Sequence, residues 1–260
     1  MLDQIKSYFK FIKRSTNQHG IHSPFVYNLT TKCFYQNNKD IHLKLNDFNS
    51  YKKDLLSNKQ TIEVTDFGAG SRVFKSNRRK VKDIAKTAGI SIKEAKLLIK
   101  IVDYFKPKTI LELGTSLGLG TYCLHLGYPE AKIITLEGCP ETSRIARELF
   151  DKYTVDHIQL ITGDFKKTLP KVLEQNKFDM IYFDGNHQKD ATLNYFNLAL
   201  KIIHNESFFI FDDIHWSNGM EAAWNIIKDH PKVSVSIDLF FWGIVFFRKE
   251  QPKQHFNIRV

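Results

Sequence analysis

At 260 residues, 42% hydrophobic and 25% charged, the chain has room for one sizeable α/β domain and an appendage of about 100 residues. No stretch approaches the roughly 20 apolar residues of a bilayer span, and the longest run, Leu239 to Phe247, is broken by Gly243, so a membrane partner is not expected. The net charge of +10 is uneven: residues 1–108 hold 22 Lys and Arg against 9 Asp and Glu, and the remainder 16 against 19.

The first hundred residues read as a mainly helical, basic cap that sets substrate choice, ahead of a second domain over 101–260. "MLDQIKSYFKFIKRS" predicts a short amphipathic helix with Ile5, Phe9 and Ile12 on one side. "HGIHSPFVYNLTTKCFY" predicts a loop and then a helix, with Pro24 at an allowed first-turn position. "RRKVKDIAKTAGISIKEAKLLIKIVDYF" predicts two basic helices parted at Gly89. The cysteines Cys33, Cys123 and Cys139 are odd in number and far apart. They offer neither a disulfide framework nor a metal knuckle, so a reducing cytoplasm is the expected compartment.

From Lys108 the pattern becomes regular. Strands are expected at "KTILELG", "AKIITLEG", "IQLITGD", "FDMIYFDG" and "SFFIFDD", each followed by a helix, the third helix adjusted at Pro170. "KVSVSIDLF" and "WGIVFFRK" then close the chain as two strands with no helix between them. Alternation of strand and helix implies a mostly parallel sheet with helices on both faces. The expectation is an α/β, Rossmann-like sheet of seven strands, the last hairpin placing one strand antiparallel. That is the architecture of class I methyltransferases.

Two glycine loops compete for a nucleoside. "ILELGTSLGLGT" follows a buried strand at Ile110–Leu113, carries Gly114, Gly118 and Gly120, and precedes a helix. The next strand ends in Glu137, 23 residues after Gly114, the spacing of an acid that reaches ribose hydroxyls. The G-x-x-x-G-x-G spacing lacks the pyrophosphate signature, and Glu112 ahead of it suits a cationic ligand such as S-adenosylmethionine. Asp164 in "TGDF" falls where it could approach the adenine amino group. "TDFGAGSR", Thr65 to Arg72, has no acid-ended second strand behind it. It reads as a turn that reverses the chain, or else as a cap loop in which Asp66, Ser71 or Arg72 touches substrate.

Acids cluster at two further strand ends: Asp184, Asn186 and His187 in "YFDGNH", then Asp212, Asp213 and His215 in "IFDDIHW". Three converging carboxylates repel one another unless protons or a cation intervene, and Mg²⁺ prefers such hard oxygen ligands. Singly, Asp184 or Asp213 could instead cap a helix, His187 and His215 could bond backbone, and Trp216 and Trp224 could serve packing alone.

Residues 108–248 resemble the O-methyltransferases of the catechol and caffeoyl-CoA type, and bacterial relatives that methylate sugars and macrolides. The likeness rests on the glycine loop, a D-G-x-H segment and a D-D pair. It implies that Glu112, Gly114, Ser116 and Glu137 hold S-adenosylmethionine, with Gly118 and Asp164 alongside, and that Asp184, Asp212 and Asp213 bind a divalent cation. It puts His187 where the catechol enzymes carry a lysine base, with His215 and Lys189 as alternatives. The whole chain, with "HSPF", "DFGAGS" and "ELGTSLG" in order, also resembles uncharacterised bacterial methyltransferase-like proteins. The leading expectation is metal-assisted O-methylation of a small hydroxylated molecule. Metal-independent transfer, an RNA-modifying methyltransferase drawing on the basic N-terminal region, and a non-catalytic protein of the same fold compete with it. A homodimer stays open.

Overall fold

Short runs of Val, Ile, Leu and Phe ended by glycine or aspartate become strands, and the polar-apolar stretches between them become helices. The computed structural model describes residues 2–36, 39–68, 70 and 73–260. Helix α1 (Leu2–Arg14) is followed by α2 (Pro24–Leu29), which has Pro24 in its first turn and Ser23 as cap, and runs on into a π-helical turn to Phe34. Then come α3 (Lys39–Ser57), β1 (Thr61–Glu63), β2 (Arg78–Lys80), α4 (Val81–Thr87) and α5 (Ile92–Phe105). The regular part is β3 (Thr109–Leu113), α6 (Leu119–Gly127), β4 (Lys132–Glu137), α7 (Pro140–Lys152), β5 (Ile158–Thr162) and α8 (Phe165–Gln175), which keeps Pro170 inside it. It continues as β6 (Met180–Phe183), α9 (Lys189–Ala199), β7 (Phe208–Asp212), α10 (Asn218–Asp229), β8 (Val235–Asp238), β9 (Trp242–Phe246) and β10 (Gln254–Asn257).

By its contacts the chain divides into two units, Asn37–Val172 and Met1–Gln36 with Leu173–Val260. In the first unit β3, β4 and β5 pair in parallel, side by side in chain order. Ile110, Leu111 and Leu113 of β3 and Ile133, Ile134 and Leu136 of β4 are all buried, the continuous apolar run that a parallel strand covered on both faces requires. Helix α6 packs on β4, and α7 on β4 and β5. In the second unit the order is β10-β8-β9-β7-β6. Here β6 and β7 are parallel, while β9 runs antiparallel to both β7 and β8, as the closing hairpin predicts.

Three expectations need correction. Among the described residues the sheet strands number eight, three in one unit and five in the other, because β10 pairs in parallel with β8. "QHFN" has too little apolar character to announce a strand. Arg78–Lys80 is a strand and not the start of a helix: it pairs antiparallel with β1, Ile62 opposite Arg79, so the chain reverses between Glu63 and Arg78. The buried face of α1 holds Ser7 and Phe11, while Ile5 and Phe9 are exposed. Phe11 packs on Phe240 with ring centroids 5.6 Å apart, and the Ser7 hydroxyl donates to Glu221. Those partners lie more than 200 residues away, beyond the reach of a helical periodicity.

Helix α5 shows how local sequence sets a boundary. Glu94 N–H donates to Ser91 Oγ (3.2 Å), and Ser91 N–H donates back to the Glu94 carboxylate (2.9 Å), satisfying two otherwise unpaired amides. Ser91→Ala is expected to lower stability by about 1 kcal/mol in urea denaturation; an unchanged midpoint would show that α5 is held by packing alone.

Candidate active site

In the unit Asn37–Val172, β3 delivers the chain into a loop of left-handed backbone. Gly114, Ser116 and Gly118 have φ of 109°, 49° and 82°. Gly118 has a second reason to lack a side chain: a Cβ there would lie 2.5 Å from the Tyr51 hydroxyl and 2.8 Å from the Phe150 ring. The loop is pinned to β4. Gly114 and Thr115 N–H donate to the Leu136 carbonyl, and the Thr115 and Thr135 hydroxyls meet at 2.6 Å. Tyr51 of α3 donates its hydroxyl to the Leu117 carbonyl at 3.0 Å.

Glu137 ends β4 with its carboxylate at this loop. Ser116 N–H donates to one oxygen at 2.6 Å and Cys139 N–H to the other at 2.9 Å. Burial pushes its carboxyl above the ordinary range against the pull of those amides. The Thr142 hydroxyl and the Gly138 amide also bond this carboxylate, which ties it to the loop and to the turn after β4. Glu112 is different. It is fully buried, and its carboxylate accepts hydrogen bonds from Thr121 and from Thr135 (2.6 Å), which makes it a brace beneath the loop. Asp164 accepts Lys166 N–H at 2.9 Å, the bond of a residue capping α8.

In the unit Met1–Gln36 with Leu173–Val260, β6 and β7 end side by side in acids. Asp184, His187 and Asp212 each offer a ligand atom, all within 4.8 Å of one another. His187 Nε2 faces Asp184 Oδ1 at 3.7 Å, and its Nδ1 faces Asp213 Oδ2 at 3.9 Å. Asp213 thus stands across the imidazole from the cluster. The Trp242 indole N–H donates to Asp212 Oδ1 at 2.7 Å. Asn186, His187 and Asp213 all have left-handed backbone, φ 72°, 45° and 55°, a concentration of strain that cores do not carry without a use.

Asp184 lies in a recess: 28% of its side chain is open, yet it is ringed by protein. Burial first, and then Asp213, push its carboxyl up to about 6, against His187 and hydrogen bonds with Asp212 and Tyr182. Two carboxylates can share such a bond only with a proton between them, and a divalent cation could take that proton's place. Hard oxygens beside one imidazole nitrogen suit Mg²⁺ or Mn²⁺.

His215, an alternative base, is 10% exposed, bonds Asp238 Oδ2 at 2.8 Å through Nε2, and stacks on Phe240 at 5.1 Å. Lys189 begins α9. Ser71 and Arg72 lie outside the described residues. Trp224 is buried against Phe211 and His255 and serves packing. Trp242, Tyr51, Thr121 and Thr135 support the two clusters, but each reaches its partner through pairing or packing, and no spacing in the sequence marks them.

A glycine loop between a buried strand and a helix, an acid at the next strand end and a mostly parallel α/β sheet are features of the class I methyltransferase fold. Residues 111–214 match the family model described as a methyltransferase domain, and the chain is similar in sequence to O-methyltransferases and in fold to solved methyltransferase structures. It is 32% identical over 145 residues to O-methyltransferase hkm8 of Aspergillus hancockii, covering 49% of this chain and 57% of that protein. It is 25% identical over 135 residues to a catechol O-methyltransferase of Mycobacterium tuberculosis, covering 51% and 60%. The chain thus spans less than two thirds of the length of these curated relatives. SAH-bound methyltransferase PaMTH1 of Podospora anserina superposes with a TM-score of 0.57 over 88% of this chain and 97% of that one, at 18% identity, a likeness of fold. Among the described residues no helix is long and apolar enough to cross a membrane.

The Asp184 environment has a consequence for stability. Its native pKa, near 6, exceeds the unfolded value of 3.8, so between those pH values the native state binds more protons than the unfolded one. Stability from this group is therefore lost as pH rises from about 4 to 6. In metal-free buffer Asp184→Asn is expected to melt above the native chain at pH 7 and to converge with it near pH 4; a variant that melts lower at pH 7 would contradict burial as the cause.

Proposed function

We propose that this chain is an S-adenosylmethionine-dependent O-methyltransferase that acts on a small hydroxylated acceptor with the help of a divalent cation. The observation that carries the reading is the convergence of Asp184, His187 and Asp212 within 4.8 Å, on a chain whose sequence relatives include a catechol O-methyltransferase.

In this reading Glu137 takes the ribose hydroxyls, and the Gly114–Gly118 loop lies along the rest of the cofactor, stiffened from below by Glu112. S-adenosylmethionine, when bound, supplies an electrophilic methyl group. Asp184 and Asp212 hold the cation, which when bound supplies a Lewis acid that lowers the pKa of a hydroxyl and orients it. His187 takes the acceptor's hydroxyl proton at Nε2, the nitrogen that faces the recess, while Asp213 beside Nδ1 favours the tautomer with its N–H on that side. Trp242 keeps Asp212 turned inward by occupying one of its oxygens.

Transfer of labelled methyl to a catechol is expected to fall about a hundredfold in excess EDTA and to return with Mg²⁺. Asp184→Ala should lose transfer while still binding S-adenosylhomocysteine. Full activity in EDTA would remove the cation from the mechanism and leave the metal-independent reading. A hydroxylated RNA nucleoside is the second acceptor class, favoured by the surplus of basic residues before residue 109. Salt-sensitive binding to bulk tRNA is its expected signature, and no binding at low salt would sink it.

A further inference from the structure

The segment between β1 and β2 is stapled to the turn that follows β4. Thr65 N–H donates to Cys139 Sγ at 3.4 Å, and the same thiol lies 3.7 Å from the Glu63 carbonyl. Val64 is buried, and its N–H donates to the Asn77 carbonyl at 2.8 Å. Gly68 N–H donates to Asp66 Oδ1 at 3.0 Å, and Asp66 pairs with Arg79 at 3.8 Å. These bonds carry Phe67 onto Gly138: a Cβ at Gly138 would lie 2.7 Å from Phe67 Cδ2 and 3.2 Å from Cε2. A side chain at position 138 would press on the ring where it lies. Gly138 sits between Glu137 and Cys139, the residue whose amide holds the Glu137 carboxylate. Even so, Phe67 keeps 52% of its surface exposed.

We propose that Phe67 is the aromatic platform for the purine of the cofactor, so that the stretch Thr65–Gly68 belongs to the nucleoside site from outside the methyltransferase-domain match. The proposal rests on the cofactor reading above. A carboxylate that takes a ribose diol leaves the attached base a few ångströms away, and Phe67 lies one residue past that carboxylate. An aromatic face receives a base by stacking, which needs no hydrogen bond and tolerates solvent on the outer side. The glycine at position 138 makes room for a ring supplied from elsewhere in the chain.

Calorimetric titration with S-adenosylhomocysteine tests this. Phe67→Ala is expected to raise Kd about tenfold, the lower part of the range for one stacked base. Phe67→Leu, which keeps bulk without a π face and guards against a folding defect in the alanine variant, is expected to lose about as much. Phe67→Trp should stay within about threefold of native, and its added indole should be quenched on saturation. A folded Phe67→Ala binding within twofold of native, a Phe67→Leu with native affinity, or an unquenched Phe67→Trp would overturn the assignment and leave the ring as a filler over Gly138. If the native chain itself fails to bind S-adenosylhomocysteine, the cofactor reading falls, an outcome distinct from failure of the Phe67 assignment.

Discussion

A carboxylate with no exposed surface sits within β3, and the glycine loop takes its shape from how Glu112 is satisfied. Burying a carboxylate is costly unless donors replace the lost water. Thr135 from the neighbouring strand and Thr121 from the helix after the loop both donate to one of its oxygens, Oε2. Any slip of α6 or β4 would leave that charge without its bonds, so strand, helix and loop are locked as one piece. The consequences spread outward. Thr135 also meets Thr115 inside the loop, and Ser116 is left with its N–H directed at Glu137. Burial, with Glu112 nearby, pushes the Cys123 thiol well up, so it stays protonated and chemically quiet. The shape of the glycine loop is therefore set by bonds within the protein.

The acids after β6 and β7 obey the opposite logic. Glu112 is closed in by hydroxyl donors, whereas Asp184, Asp212 and His187 converge in a recess that solvent reaches. Their strained backbone, left-handed at three non-glycine residues, is the arrangement of a place that does chemistry more than of one that only holds the fold. The same unit stiffens the turn behind them. Ser7 bonds Glu221, His215 bonds Asp238, and Phe240 lies between His215 and the rings of Tyr8 and Phe11. The N-terminal helix, which on sequence alone reads as part of a substrate cap, thus packs against the closing strands of its own unit.

Between Lys108 and Phe247 the sequence was nearly a transcript of the fold. Apolar runs such as "TILEL" and "MIYF" can be little else than buried strands, and each ends in the residue that turns the chain. The same regularity exposed Glu137, Asp184, Asp212 and Asp213, because a strand's carboxyl end is a place that sequence order can mark. Helix α3 also carries a local signal, since its buried residues Ile41, Leu45, Phe48, Tyr51 and Leu55 recur at the spacing of one helix face; what that face packs on is not local. Strand β10 was hidden, being short and made mostly of polar residues that pair only because β8 offers an edge.

By itself, then, the sequence determined the order of strands and helices from Lys108 onward, the glycine loop after β3 and the acids at the strand ends, since those depend on local periodicity and on residue type. Only the tertiary structure decided what each acid is for. Glu112 and Glu137 are indistinguishable as letters, yet one is fully buried against two threonine hydroxyls and the other bonds the amides of the glycine loop and of the turn after β4. It also decided that Phe67 meets Gly138, about 70 residues further on. Contacts of that range arise from packing and hydrogen bonding among elements already formed, and no period in the chain records them.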